Sequence, residues 1–158
     1  RLALPDNVLL RWDSLQIQIG STEVFRKLEF FYNLPNEGQS LALSEIGKTV
    51  IVSSSSYTEF EKRSLSENVA YVNADLFSKA CIRPRRTEDS FHPLGASYSV
   101  RLKKYLIDRK VPRFIRDRLP LFFVENELVW APGFPVSEKV KVTPLTSKIY
   151  KIEVHFQK

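Results

Sequence analysis

The chain has 158 residues, 43% hydrophobic and 12% aromatic, which supplies enough apolar material for a packed core and excludes a disordered segment. Its formal net charge is +6, and its one cysteine, Cys81, excludes an internal disulfide and fits a reducing compartment. No apolar run approaches the ~18 residues of a spanning helix, and the opening Arg1-Leu2-Ala3-Leu4-Pro5 lacks the apolar stretch of a signal peptide. The expectation is a soluble, cytoplasmic chain with no membrane partner. The absence of any Met and a start inside a strand-like pattern read as a segment of a longer protein.

The first half reads as β-structure, because apolar residues alternate at period two between turn signals. Val8 to Trp12, a turn at Asp13-Ser14, and Leu15, Ile17 and Ile19 predict a hairpin. Val24, Leu28, Phe30 and Tyr32 continue the alternation until Pro35-Asn36-Glu37-Gly38. Leu41 and Leu43, a Ser44 to Gly47 turn, and Thr49 to Val52 predict a second hairpin. Ser53 to Ser56 with the charged stretch Glu59 to Arg63 reads as a surface loop, and no helix is expected before residue 95.

The second half has a different grammar. Ala70 to Val72 and Ala80 to Ile82 read as short strands, with Cys81 a small, half-buried strand residue and Pro84 ending the pairing. Ser97 or Ser99 is expected to cap a helix running to about Lys110, with Leu102, Tyr105 and Leu106 facing the core. Pro112 suits the first position of a second helix, Arg113 to Leu119, with Ile115 and Leu119 inward and Pro120 as its stop. Leu121 to Val124 and Leu128 to Ala131 predict a hairpin, followed by strands at Lys139 to Val142 and Ile149 to Phe156. The expected class is α+β: a β-rich subdomain over 1–75, then an α+β domain over 76–158 whose small mixed sheet carries two short helices, with the boundary near Asn73 to Lys79.

The usual catalytic constellations do not form. The five glycines, at 20, 38, 47, 95 and 133, are too scattered for a phosphate-cradling loop. His92 and His155 have no second His or Cys at ligand spacing, and the Ser53 to Ser56 run lacks the glycines of a nucleophile elbow. No catalytic, cofactor-binding or metal-ligating residue is therefore assigned, and no cofactor is expected within the chain.

Charge is the informative signal. Between Arg83 and Arg118 stand eleven basic residues against four acidic ones, an excess of seven in a chain whose total is +6. The basicity is local, and local basicity points to a polyanion-facing patch. The candidate contacts are Arg83, Arg85, Arg86, Arg101, Lys103, Lys104, Arg109, Lys110, Arg113, Arg116 and Arg118. Eight of these are arginines, whose fork matches phosphate bidentately, and the two predicted helices would present them outward. The Val111-Pro112 turn adds a candidate backbone-anion site beside Arg113. The pattern alone leaves RNA, DNA and an acidic protein open as partners. Tyr98 and Trp130 are candidate stacking residues, with Trp130 better placed in the core.

The run Asn73-Ala74-Asp75-Leu76, Arg83-Pro84-Arg85, Asp89, Phe91, Pro93-Leu94-Gly95, Ile107-Asp108, Lys110-Val111-Pro112-Arg113, Arg116-Asp117, Pro120-Leu121, Val129-Trp130 and Gly133 resembles the C-terminal region of the bacterial tRNA(Ile)-lysidine synthetase family. The resemblance is dense over about 73–154 and sparser before it. Glu88-Asp89-Ser90-Phe91 stands where the family often has Gly-Asp-Arg-Phe. The resemblance implies a full-length ligase that uses ATP and Mg, in an N-terminal catalytic domain outside this chain, to attach lysine to the wobble cytidine of tRNA(Ile). This chain would then be a non-catalytic tRNA-binding module, with the eleven basic residues as RNA contacts and with tRNA(Ile) and the catalytic domain as partners. The alternative is a structural or oligomerisation domain of the same enzyme, a homodimer with little RNA affinity.

Overall fold

The computed structural model describes residues 2–4, 8–12, 17–21 and 27–157. Leu2–Leu4 (β1), Val8–Trp12 (β2) and Ile17–Ser21 (β3) form an antiparallel meander in which Trp12 faces Ile17 and Val8 faces Ser21. This is the first expected hairpin. Its turn at Asp13-Ser14, with Leu15 and Val24, lies outside the described residues.

The alternation read through Leu28, Phe30 and Tyr32 produces a strand only at Tyr32–Asn33 (β4). Phe30 is nevertheless buried, so its apolar spacing reports packing and not pairing. The second hairpin forms as expected from Ser40–Leu43 (β5) and Lys48–Ser55 (β6). Gly47 closes the 3-10 turn Ser44–Ile46 at φ 62°, a conformation that favours glycine.

The expected Ser-rich loop is a correction. Ser53 to Ser55 continue β6, and Ser56 caps a short helix, Tyr57–Glu61 (α1), by accepting the Glu59 amide at 3.1 Å. Val69–Asn73 (β7) then leads into a second one-turn helix, Ala74–Phe77 (α2), whose cap is the Asn73 side chain accepting the Asp75 amide. The expectation of no helix before residue 95 therefore fails twice. Both helices are too short to show a 3.6-residue period; the legible signals were the caps, Ser56 with Glu59 three residues on and Asn73 before Ala74.

Cys81–Arg83 (β8), Ser90–Phe91 (β9) and Val100–Arg101 (β10) precede Leu102–Asp108 (α3) and Arg113–Arg116 (α4). Leu121–Val124 (β11), Glu127–Trp130 (β12) and Ile149–Phe156 (β13) complete the chain. The expected strand at Lys139 to Val142 is instead a 3-10 turn, Glu138–Val140, capped by Ser137. Val140 is buried there.

Two further sheets organise these elements. One has the order β5-β6-β13-β7, antiparallel throughout, so β13 lies between two strands from before residue 75. The other is mixed, ordered β10-β9-β12-β11-β8-β4, with β9 and β12 parallel. β11 shows how the layers stack. Leu121, Phe122 and Phe123 are all fully buried, and successive side chains on a strand point to opposite faces. Phe122 joins a core with Val50, Val52, Val72, Phe77, Trp130, Ile152 and Val154, which links the two sheets. Leu121 and Phe123 join a second core with Phe91, Leu128 and the inner face of α3, Leu102, Tyr105 and Leu106. The class is α+β, with α3 laid on the outer face of the mixed sheet.

Candidate nucleic-acid interface

The apolar spacing of α3 fixes what faces out. With Leu102, Tyr105 and Leu106 buried, Lys103, Lys104, Ile107 and Asp108 are exposed, together with Arg101 before the helix and Arg109 and Lys110 after it. The helix starts later than the Ser97 or Ser99 cap predicts, because Val100 and Arg101 pair with β9. The Leu102 amide is satisfied instead by the Asp89 carbonyl at 3.0 Å.

The far end of α3 closes with two bonds, Lys110 N–H to the Ile107 carbonyl at 2.8 Å and Val111 N–H to the Leu106 carbonyl at 3.0 Å. This is the 5→2 and 6→1 pairing of a Schellman cap, with Lys110 in the left-handed position at φ 55°. The cap turns the chain into α4, which has four residues and not the expected seven. Ile115, expected inward, is exposed; Leu119 does pack against the second core. A helix of one turn builds little dipole, so the backbone-anion site expected at Val111-Pro112 has no structural basis. The Val111 carbonyl instead accepts the Arg116 Nε at 2.7 Å.

The eleven basic residues do not behave alike. Arg83 is a correction: it is 2% exposed, donates to both Asp89 carboxylate oxygens at 2.9 and 2.7 Å, and lies over the Phe123 ring at 3.7 Å. Its charge is spent inside. Asp89 also accepts the Arg86 amide at 2.6 Å, so the pair fixes the turn between β8 and β9. Arg85 is half-buried, its Nε 3.0 Å from an Asp117 oxygen in an ion pair without an aligned hydrogen bond. Arg101 donates to the Glu88 carbonyl at 2.8 Å, Lys104 pairs with Asp108 at 2.7 Å, and Arg109 lies 5.0 Å from the centre of the Tyr105 ring. Arg86, Lys103 and Lys110 are exposed and engage no partner side chain among the described residues. Arg113 and Arg118 are exposed and Arg116 is half-buried, each with partners of its own. Ten of the eleven therefore reach the surface around α3, α4 and the β8–β9 turn.

Four acidic side chains temper this face. Asp89 is buried, and Asp108 and Asp117 are paired with Lys104 and Arg85, which leaves Glu88 as the exposed carboxylate of the β8–β9 turn. Trp130 is in the core at 1% exposed, while Tyr98 is exposed. The 92–96 loop is pinned from the far side: Glu138 accepts the Gly95 amide at 2.8 Å and pairs with Lys141. The Lys141 ammonium and, next, the Gly95 amide hold the Glu138 carboxyl below the usual carboxylate range.

One cleft lies outside this face. It is an apolar groove of about 460 Å³ lined by Phe60, Leu65, Tyr71, Leu94, Phe134 and Val136 among others, and none of the eleven predicted cations borders it. A more open notch, lined by Thr87, Glu88, Arg101, Lys103, Lys104 and Ile107, does lie within the basic face. Among the described residues no three His, Cys, Asp or Glu side chains gather as a metal site, and no helix is long and apolar enough to cross a membrane. The His92 ring instead bonds the Ala96 carbonyl at 2.7 Å.

Comparison with known proteins converges on one family. Residues 81–153 match the TilS substrate C-terminal domain, a span that includes all eleven basic residues. The tRNA(Ile)-lysidine synthase of Caldanaerobacter subterraneus subsp. tengcongensis is 36% identical over 107 residues, which is 67% of this chain and 22% of the relative. That of Clostridium tetani is 32% identical over 142 residues, 90% of this chain and 26% of the relative. The chain thus spans about a quarter or less of the curated relatives it matches. A solved structure described as a TilS C-terminal domain superposes with a TM-score of 0.68 at 20% identity, covering 83% of this chain and 99% of that one, and shows the fold alone. Residues 81–153 thus match the TilS substrate C-terminal domain family, and the chain has the fold of a solved TilS C-terminal domain.

Proposed function

We propose that the chain is the tRNA-binding C-terminal region of a tRNA(Ile)-lysidine synthase and performs no chemistry itself. The observation that carries the reading is the outward basic face of α3 and its flanks. Arg86, Lys103 and Lys110 are exposed without partner side chains among the described residues, and Arg101, Lys104 and Arg109 stand beside them. Cations left unspent by the fold are what a phosphate backbone neutralises. In this reading the ATP- and Mg-dependent attachment of lysine to the wobble cytidine belongs to a catalytic domain outside these residues, acting in the cytoplasm. The carboxylates here sit among cations and make ion pairs, a donor set unsuited to holding ATP with its metal.

Charge reversal tests this. Lys103→Glu with Lys110→Glu removes two unpaired exposed cations, so affinity for transcribed tRNA(Ile) is expected to fall at least tenfold with no loss of thermal stability. Unchanged affinity contradicts the reading. The second reading, an oligomerisation module, draws on Trp12, Ile17 and Ile19, exposed on β2 and β3. A concentration-dependent dimer in sedimentation, without tRNA affinity, would favour it.

A further inference from the structure

We infer that the notch between the β8–β9 turn and the outer face of α3 is a seat for a single RNA backbone phosphate, and that Glu88 sets how tightly it holds. The inference rests on the RNA-binding reading and locates its tightest contact. Three cationic residues, Arg101, Lys103 and Lys104, line the notch against one acidic residue, Glu88, with Thr87 and Ile107 completing the wall. Its two sides come from different parts of the chain, and both are fixed. The turn is held from beneath by the buried Arg83–Asp89 pair and by the Arg86 amide on Asp89. The helix is held by the three apolar side chains of its inner face.

One bond ties the two sides together. Arg101 Nη1 donates to the Glu88 backbone carbonyl at 2.8 Å, which spans the notch and commits one of the five N–H donors of the guanidinium. An anion entering the notch meets that oriented fork. Among the described residues Lys104 is held by an exposed i,i+4 pair with Asp108, at 72% and 57% side-chain exposure, the weakest class of ion pair and the easiest to exchange for a phosphate. A two-sided concavity with an arginine fork suits a compact, doubly accepting oxyanion such as a phosphodiester. The Glu88 carboxylate on the same wall repels it. Glu88 contacts Arg101 through its backbone, so neutralising the Glu88 side chain leaves that bond in place.

The test uses the 158-residue chain, transcribed tRNA(Ile) and four proteins: wild type, Glu88→Gln, Arg101→Gln and the double variant. All three variants alter exposed side chains. Glu88→Gln is expected to tighten binding about fivefold, the repulsion between unit charges about 4 Å apart in water. Arg101→Gln is expected to weaken it about tenfold and to lower the salt slope by about one. In the Arg101→Gln background the gain from Glu88→Gln should shrink below about twofold, because the two residues act on one seated phosphate. An unchanged affinity for Glu88→Gln, or additive effects in the double variant, overturns the seat while the RNA-binding reading stands. A wild-type chain without salt-dependent tRNA affinity overturns that reading first, and the seat with it. Polyglutamate bound as tightly as tRNA, and tightened equally by Glu88→Gln, would assign the notch to an acidic protein and overturn the phosphate.

Discussion

Arg83 and Asp89 take opposite charges into a layer almost closed to water, at 3% and 0% side-chain exposure, and their pairing is bidentate. A buried pair gains little over well-packed apolar side chains, but removing one partner strands the other. Asp89→Leu alone should therefore cost about 3–5 kcal/mol, and the double variant Arg83→Met with Asp89→Leu should recover most of it. Urea denaturation midpoints measure both. The pair also marks a limit of sequence reading at this scale. Counting basic residues gave a sound estimate of local charge but no direction for each side chain, so Arg83 joined the outward set. Its partner stands six positions away across a proline-bearing turn, a spacing that no strand or helix period connects. Trp130, by contrast, was legible as core because apolar neighbours flank it on a strand.

Lys110 shows an element closing at a cost. It occupies the left-handed residue of the α3 cap at φ 55°, where a side chain is disfavoured by about 1–2 kcal/mol. Lys110→Gly should stabilise the chain by about 1 kcal/mol and at the same time weaken tRNA binding, a split that thermal melts and titrations would reveal. Glu138 anchors a neighbouring loop through its carboxylate. Because its folded pKa is depressed, the stability it contributes is present above the ordinary carboxylate range and is lost as pH falls through the lowered value. Protection of the Gly95 amide, corrected for intrinsic exchange, should decline on acidification through that range, and Glu138→Ala should lack the protection at neutral pH. The inner face of α3 was readable from its i, i+3, i+4 spacing. Its start was not, since pairing of Val100 and Arg101 with β9 overrode the serine caps. The one-turn helices α1 and α2 are set by caps and tertiary packing, which leave no periodic trace.

At the scale of the whole molecule the organising fact is that β13, from the end of the chain, pairs with β6 over eight residues and with β7 over five. Strand order of this kind is long-range and is not encoded in any local pattern. Most of the longer strands were legible, but the two-residue strands β9 and β10 were not, and neither was the arrangement into a four-stranded antiparallel sheet and a six-stranded mixed sheet. Removing residues 149–158 should leave β6 and β7 unpaired toward each other and abolish cooperative unfolding, observable as loss of a single thermal transition. Charge density alone located the basic face, and the fold explains why its cations reach the surface: the apolar side of α3 is consumed by the second core, and one of the eleven candidates, Arg83, is drawn inside. The most direct test of the account is the affinity of this chain for transcribed tRNA(Ile) at rising salt. With about four phosphate contacts, Kd should weaken about a hundredfold between 50 and 200 mM monovalent salt; a Kd that stays constant over that range would contradict the account.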